Sequence, residues 1–117
     1  HISFRNDAVR YDNNGANIER RQLISCCSER SVYDPARGAE VLTGPAPIPL
    51  AAIVLTLGDN GELSASGSLG VDQYDRFLDK FGFRLALEYG VTDVRQRVGS
   101  TTRAVLAEQF SRQTVRC

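Results

Sequence analysis

The sequence is poor in several residue types, and each shortage limits what the protein does. Methionine and tryptophan are absent, histidine occurs once, at His1, and lysine once, at Lys80. With a single histidine, a Ser-His-Asp or Cys-His active site is not indicated, and no phosphate loop or zinc-ligand spacing is present. Basic and acidic residues balance at 14 each, so the composition gives no signature of nucleic-acid or anionic-membrane binding.

Long apolar runs are also lacking. The longest, residues 48–57, is too short to cross a bilayer, which takes about 20 residues. No charged leader followed by an apolar segment is present, so we expect no signal peptide. Because the chain of 117 residues starts at His1 without a methionine, we expect a processed chain, a fragment or the ordered part of something longer.

The three cysteines, Cys26, Cys27 and Cys117, are an odd number and cannot form a closed disulfide framework. Neighbouring cysteines seldom pair with each other because the resulting ring is strained. One of the adjacent pair could bridge to Cys117, and Cys26 is our candidate for that bridge. The other cysteine would then be free or bound to a metal, and three inert thiols are the alternative.

Turn signals divide residues 1–70 into short strands. Asn14-Gly15 predicts a hairpin turn, followed by a strand over residues 18–25 and a shorter one over 39–42. A strand over 51–57, which we expect to be buried, is joined by the turn 58–61 to a return strand. These segments predict a mainly β domain over residues 1–70.

The character of the chain changes after Gly70. Apolar residues recur there at helical spacing, with Asp72 as a possible N-cap and Gly82 as the residue after the helix: Tyr74, Phe77, Leu78 and Phe81. Over residues 83–89, large apolar side chains then alternate with charged or small ones, so we predict a helix followed by a strand. A single helix over 71–89 is the competing interpretation. Residues 91–102 read as a loop and 104–113 as a short helix. We expect residues 71–117 to form a C-terminal extension that packs on the β domain, with the aromatic stripe facing the sheet.

Two short motifs stand close together in the β region. Ser31-Val32-Tyr33-Asp34 follows the cysteine pair, and a loop of alternating prolines follows after Gly38: Gly44, Pro45, Ala46, Pro47. With the apolar strand and the Asp59-Asn60-Gly61 turn in the same order, this stretch resembles the second cluster-binding segment of Rieske iron–sulfur proteins of the cytochrome bc type. The run 77–90 and the terminal Val-Arg-Cys resemble a C-terminal extension of a proteobacterial-type subset.

The resemblance implies a Rieske-type antiparallel β-sandwich and a [2Fe–2S] cluster, which is held by two cysteines and two histidines. Cys27 would be a ligand of the iron. Ser31 and Tyr33 would donate hydrogen bonds to cluster sulfurs and raise the reduction potential. The loop Gly44, Pro45, Ala46, Pro47 would cover the cluster and exclude water.

The sequence departs from the family pattern at the ligands. Arg30 stands where the family places a histidine, and a protonated guanidinium offers no lone pair to iron. The first ligand segment, Cys-x-His, is not found. The chain is therefore either a piece of a working Rieske protein or a relative that kept the fold and lost the cluster.

The resemblance implies an electron-transfer subunit that carries electrons from quinol to cytochrome c in a membrane respiratory complex. Its partners would be cytochrome b, a c-type cytochrome and quinol. Its head would lie on the periplasmic or intermembrane-space side, anchored by an upstream helix. The alternative is a cluster-less structural or docking subunit, and a free-standing binding module is the third hypothesis. No independent catalytic site is indicated.

Overall fold

The computed structural model describes residues 2–96 and 105–110, and in them the chain is mainly antiparallel β with one long helix. The strands and helices, in chain order, are β1 Ile2–Arg5, β2 Val9–Asn13, β3 Ala16–Arg20, β4 Leu23–Cys26, β5 Val32–Asp34, a short 3-10 helix Pro35–Arg37, β6 Glu40–Thr43, β7 Ala52–Leu57, β8 Leu63–Leu69, α1 Val71–Tyr89 and α2 Ala107–Phe110.

Two layers enclose a small core. Strands β1, β4, β5 and β6 form a four-stranded antiparallel sheet with the order β1-β4-β5-β6, and the β2–β3 hairpin is a separate pair. Tyr11 of the hairpin packs with Leu23 and Val32 of the sheet, and all three are buried. Partly buried apolar residues from both layers complete this cluster: Val9, Ile18 and Leu42.

The Asn14-Gly15 turn is confirmed. Both residues have positive φ, 54° and 86°, and Asn13 pairs with Ala16 on either side of them. Two central residues with positive φ match the right-handed twist of the flanking strands. The amide of Gly15 also donates to the Asp12 carboxylate at 3.1 Å.

The single strand predicted over residues 18–25 is wrong, because the chain divides it between two sheets. Strand β3 ends at Arg20 and β4 begins at Leu23. Gln22, between them, has a φ of 59° in the left-handed region, where a strand cannot continue. The bend lets Ile18 and Leu23 reach the same core from opposite layers.

The hairpin β7–β8 is confirmed in position but not in burial. Its turn is closed by the amide of Gly61, which donates to the Gly58 carbonyl at 2.9 Å. Strand β7, which we expected to be buried, has mostly exposed residues, and every residue of β8 is exposed. An apolar strand is buried only where another layer covers it, and the described residues supply no such layer to this hairpin.

The helix-then-strand prediction for residues 71–89 is wrong, and the competing single helix is observed. Gly82 does not end the helix; a Cβ at this position would lie 3.3 Å from Val94 Cγ2, so the glycine allows the returning segment to approach. The helix ends instead at Gly90, whose φ is 62° and whose amide donates to the Ala86 carbonyl.

The N-cap of α1 is Gly70, not Asp72, and no side chain caps this end. The aromatic stripe expected to pack against the sheet is largely open: Tyr74 and Phe77 are both exposed, and no residue of α1 is buried. Helix α2 lies within the predicted 104–113 helix, whose ends fall outside the described residues. Among the described residues, no helix is both long enough and apolar enough to cross a membrane.

Candidate functional site

The loop of the β4–β5 hairpin carries the residues that the sequence singled out. Cys26 is the last residue of β4, and its amide donates to the Ser31 carbonyl at 2.9 Å. The Arg30 amide donates back to the Cys26 carbonyl, also at 2.9 Å. These two bonds close a tight loop, residues 27–30, so that Cys26 and Cys27 lie where the chain reverses.

Arg30 has a φ of 62°, in the left-handed region. That conformation costs a residue with a Cβ about 1–2 kcal/mol and is natural for glycine. Position 30 is therefore the turning point of the loop, and its backbone is set by the hairpin. This conformation was not predictable from the sequence, because arginine is not a residue type that indicates positive φ.

The two cysteines differ in chemical state, and the difference reverses our assignment. Cys26 is a free thiol, whereas Cys27 is disulfide-bonded. The pairing of Cys26 with Cys117 that we expected is therefore not the one present, and Cys117 itself lies outside the described residues. In this state Cys27 offers no thiolate for a metal.

The Cys26 thiol has polar neighbours that favour its ionised form. Its Sγ lies 3.4 Å from the Ser28 hydroxyl oxygen. Hydrogen bonds from that hydroxyl, and then from the Glu29 amide, lower the pKa of Cys26 below the usual value of a thiol. Cys26 is thus the more reactive of the described thiol positions.

A cavity of about 470 Å³ opens beside the loop. Both cysteines and Arg30 line one wall, and strand β2 and the end of β6 line the others. Its described lining consists of Val9, Arg10, Tyr11, Asp12, Ser25, Cys26, Cys27, Arg30, Val32, Thr43 and Gly44. The structure thus brings Cys27, Arg30 and Gly44 together at one cavity.

Ser31 joins the hairpin to the proline loop. Its side chain is fully buried, and its hydroxyl accepts a hydrogen bond from the Ala46 amide at 3.2 Å. Gly44 passes so close that a Cβ there would lie 2.5 Å from the Ser31 Cα. The Ser31 motif and the Gly44, Pro45, Ala46, Pro47 loop are therefore packed directly against one another, while Pro45 and Pro47 themselves are exposed.

Tyr33 and Asp34, the last two residues of β5, are both buried. Tyr33 pairs with Ile24 and Val41 in the sheet and is not among the described residues that line the cavity. Asp34, only 1% exposed, accepts hydrogen bonds from Arg20 at 2.8 Å and from the Ala36 amide at 3.0 Å. The Ser-x-Tyr-Asp motif therefore serves as structural support for the loop and for the short helix after it.

The donors in this part of the chain do not fit a [2Fe–2S] cluster. The described residues contain no group of three or more His, Cys, Asp or Glu side chains close enough to share a metal. Cys27 is in a disulfide, Arg30 is not a ligand, and the one histidine, His1, lies outside the described residues. We therefore derive no chemistry through a cluster.

Comparison with models of known families, with curated proteins and with solved structures found no match to this chain.

Proposed function

We propose that this chain is a Rieske-type domain that acts as a cluster-less structural or docking subunit of a membrane respiratory complex. The order of its motifs and their packing, with Ser31 bonded to the Gly44-to-Pro47 loop, support a Rieske-type sandwich. The poor fit of the donors favours the cluster-less form. We assign the docking role to the exposed apolar face of the β7–β8 hairpin, which would contact the partner.

One face of the β7–β8 hairpin carries most of its large apolar side chains, and the opposite face combines Thr56 and Ser64 with the apolar Val54 and Leu69. Residues opposite one another in an antiparallel pair share a face, and neighbours along a strand alternate. Leu55 pairs with Ala65 and Leu57 with Leu63, and Ile53 lies on the same side of β7. The other face includes Thr56, whose hydroxyl donates to Ser66 at 2.7 Å.

The apolar face lies open to solvent. Its four large side chains are each more than half exposed: Ile53, Leu55, Leu57 and Leu63. Burying one such side chain fully is worth about 1.5–3 kcal/mol. Contiguous exposed apolar surface of this kind marks a binding surface in a soluble protein. Cytochrome b or a c-type cytochrome of the complex is the partner we propose for this face.

Leu55→Asn, in the full-length protein within its host, tests the proposal. Removing this side chain from a buried interface costs about 1.5–3 kcal/mol, or about ten-fold or more in Kd. We expect cytochromes b and c to co-purify with wild type and to be lost from Leu55→Asn. Ser64→Asn, on the opposite face, is the matched control and should retain them.

The same variants separate docking from internal packing. If another part of the protein itself covers this face, Leu55→Asn will lower the Tm of the isolated protein as well. Equal co-purification of cytochromes with both variants, or with neither wild type nor variant, would rule out the docking role.

Electron transfer from quinol to cytochrome c is the second candidate. It is favoured by the cavity that Cys26, Cys27 and Gly44 line beside the proline loop. In that case an upstream segment and a membrane anchor would place the domain on the periplasmic or intermembrane-space side. A Rieske absorption and EPR spectrum from the full-length protein would support this candidate, and a colourless folded protein without iron would exclude it.

A further inference from the structure

Two Asn-Gly pairs lie in exposed hairpin turns: Asn14-Gly15 joins β2 to β3, and Asn60-Gly61 lies between β7 and β8. An asparagine that precedes glycine is prone to spontaneous deamidation. Glycine has no side chain to hinder its amide nitrogen when that nitrogen attacks the asparagine side chain. The two pairs are the same dipeptide, but their hydrogen bonds differ.

The side chain of Asn60 folds over the peptide that follows it. Its Oδ1 accepts a hydrogen bond from the Glu62 amide at 3.0 Å. Because this bond reaches the amide two residues further on, it holds the side-chain carbonyl carbon, Cγ, beside the Gly61 nitrogen that lies between them. The same bond polarises the carbonyl, and it stabilises the negative charge that Oδ1 acquires when a nucleophile attacks Cγ.

Asn14 has a different set of neighbours. Within residues 2–96 and 105–110, its side chain makes no hydrogen bond that would hold it over the next peptide. The Gly15 amide donates to the Asp12 carboxylate at 3.1 Å, and a negative charge beside an amide disfavours loss of its proton. The Gly61 amide instead donates to a neutral group, the Gly58 carbonyl, at 2.9 Å. The turn between β7 and β8 is therefore the better arranged for deamidation.

We propose that Asn60 is a deamidation site, which converts to aspartate and isoaspartate faster than Asn14 does. The Gly61 amide leaves the Gly58 carbonyl and gives its proton to a solvent base, and its nitrogen forms a bond to Asn60 Cγ. The bond from Cγ to Nδ2 breaks, and Nδ2 leaves as ammonia after taking up a proton. Water then opens the cyclic imide at either carbonyl. One water is consumed and one ammonia released, so no oxidant or reductant is needed.

The conversion changes the charge and the length of the turn. A carboxylate replaces a neutral side chain close to Asp59 and Glu62, which are already acidic, and like charges repel. Isoaspartate also adds a carbon to the main chain of a turn that short hydrogen bonds close. Any effect on docking by the adjoining apolar face rests on the proposed function, whereas the conversion itself does not.

Peptide mapping of the folded protein tests the site, after incubation in weakly alkaline buffer made with heavy-oxygen water. The heavy isotope enters when the imide is hydrolysed, so it marks conversion that occurs during the incubation. Trypsin places Asn60 in peptide 38–76, as its only asparagine, and Asn14 in peptide 11–20, where fragmentation assigns the label. We expect the label at Asn60 several-fold sooner than at Asn14. Equal rates, a faster Asn14 or no label at Asn60 would overturn the proposal.

Two controls separate the folded turn from the dipeptide. In concentrated urea both turns are lost, so the ratio of the Asn60 rate to the Asn14 rate should fall; an unchanged ratio would refute the role of the turn. Gly61→Ala adds a methyl group beside the attacking nitrogen, while its Cβ would meet nothing within 4 Å. Conversion of Asn60 should slow in this variant, with the fold checked by circular dichroism, and an unchanged rate would exclude Gly61 as the nucleophile. No cytochrome is present in these assays, so their outcome is independent of docking.

Discussion

Gly44 is the first residue of the proline loop, and one added methyl group at this position should lower the stability of the protein strongly. A Cβ there would lie 2.5 Å from the Ser31 Cα and 2.7 Å from the Arg30 carbonyl oxygen, both main-chain atoms that cannot swing away. Its φ is 102°, which L-residues rarely adopt. Gly44→Ala therefore meets both a steric and a conformational cost.

Gly61, in the β7–β8 turn, separates the two costs. Its φ is 80°, and a Cβ there would meet nothing within 4 Å. At both positions, alanine lowers the free energy of unfolding by about 1–2 kcal/mol because of the positive φ. It raises it by about 0.4–1 kcal/mol because the unfolded chain becomes less flexible. Only at Gly44 is overpacking added, at about 1–3 kcal/mol. We expect Gly44→Ala to be less stable than Gly61→Ala by that amount.

Urea unfolding followed by tyrosine fluorescence measures this difference, because Tyr11 and Tyr33 are buried and the chain has no tryptophan. Hydrogen exchange at the Ala46 amide gives a local readout: its bond to Ser31 should weaken in Gly44→Ala and persist in Gly61→Ala. Equal stabilities for the two variants would show that the proline loop moves away from Ser31 without cost, and the packing argument would fail.

Other predictions concern the same loop and its supports. Ser31→Ala leaves the Ala46 amide without its acceptor and should cost about 1–2 kcal/mol in urea unfolding; no loss would mean that water replaces the hydroxyl. Arg30→Gly relieves the positive φ and should stabilise the protein by about 0.5–1 kcal/mol, while Arg30→Ala, which keeps the strain, should not. Arg20→Ala removes the cation from the buried Asp34 and should lower the free energy of unfolding, by less than the loss of a fully buried pair would, because Arg20 is partly exposed. Since the Ser28 hydroxyl lowers the pKa of Cys26, its alkylation rate should reach half-maximum at a lower pH than that of an ordinary thiol; Ser28→Ala should move this midpoint upward, and Ser68→Ala, in β8, should leave it unchanged.

Local turn chemistry was predictable from the sequence, because it depends on a few adjacent residues. Asn14-Gly15 and the turn 58–61 are where the sequence placed them. The break at Gln22 was not predictable, since it follows from the pairing of β3 and β4 with different strands. The helix end predicted at Gly82 was wrong because this glycine also answers to a distant part of the chain. Its missing side chain leaves room for Val94, twelve residues further along.

The sequence indicated which part of the chain holds the candidate site, but not which of its cysteines is disulfide-bonded. The resemblance implied that the proline loop lies over the cysteine segment; in the structure both cysteines, Arg30 and Gly44, the first residue of that loop, line one cavity. The identity of the bonded cysteine was not predictable, because disulfide connectivity cannot be read from sequence alone. Exposure of β7 was likewise hidden, because an apolar strand looks the same whether or not another layer covers it.

The contacts that hold the loops together explain how such a domain could keep its fold without a metal. The Cys26–Ser31 main-chain bond, the Ser31–Ala46 hydrogen bond and the close approach of Gly44 involve protein atoms alone. None requires Arg30 to be a histidine or Cys27 to be a thiolate. These contacts therefore hold the hairpin and the proline loop in register without a metal, as the proposed cluster-less form requires.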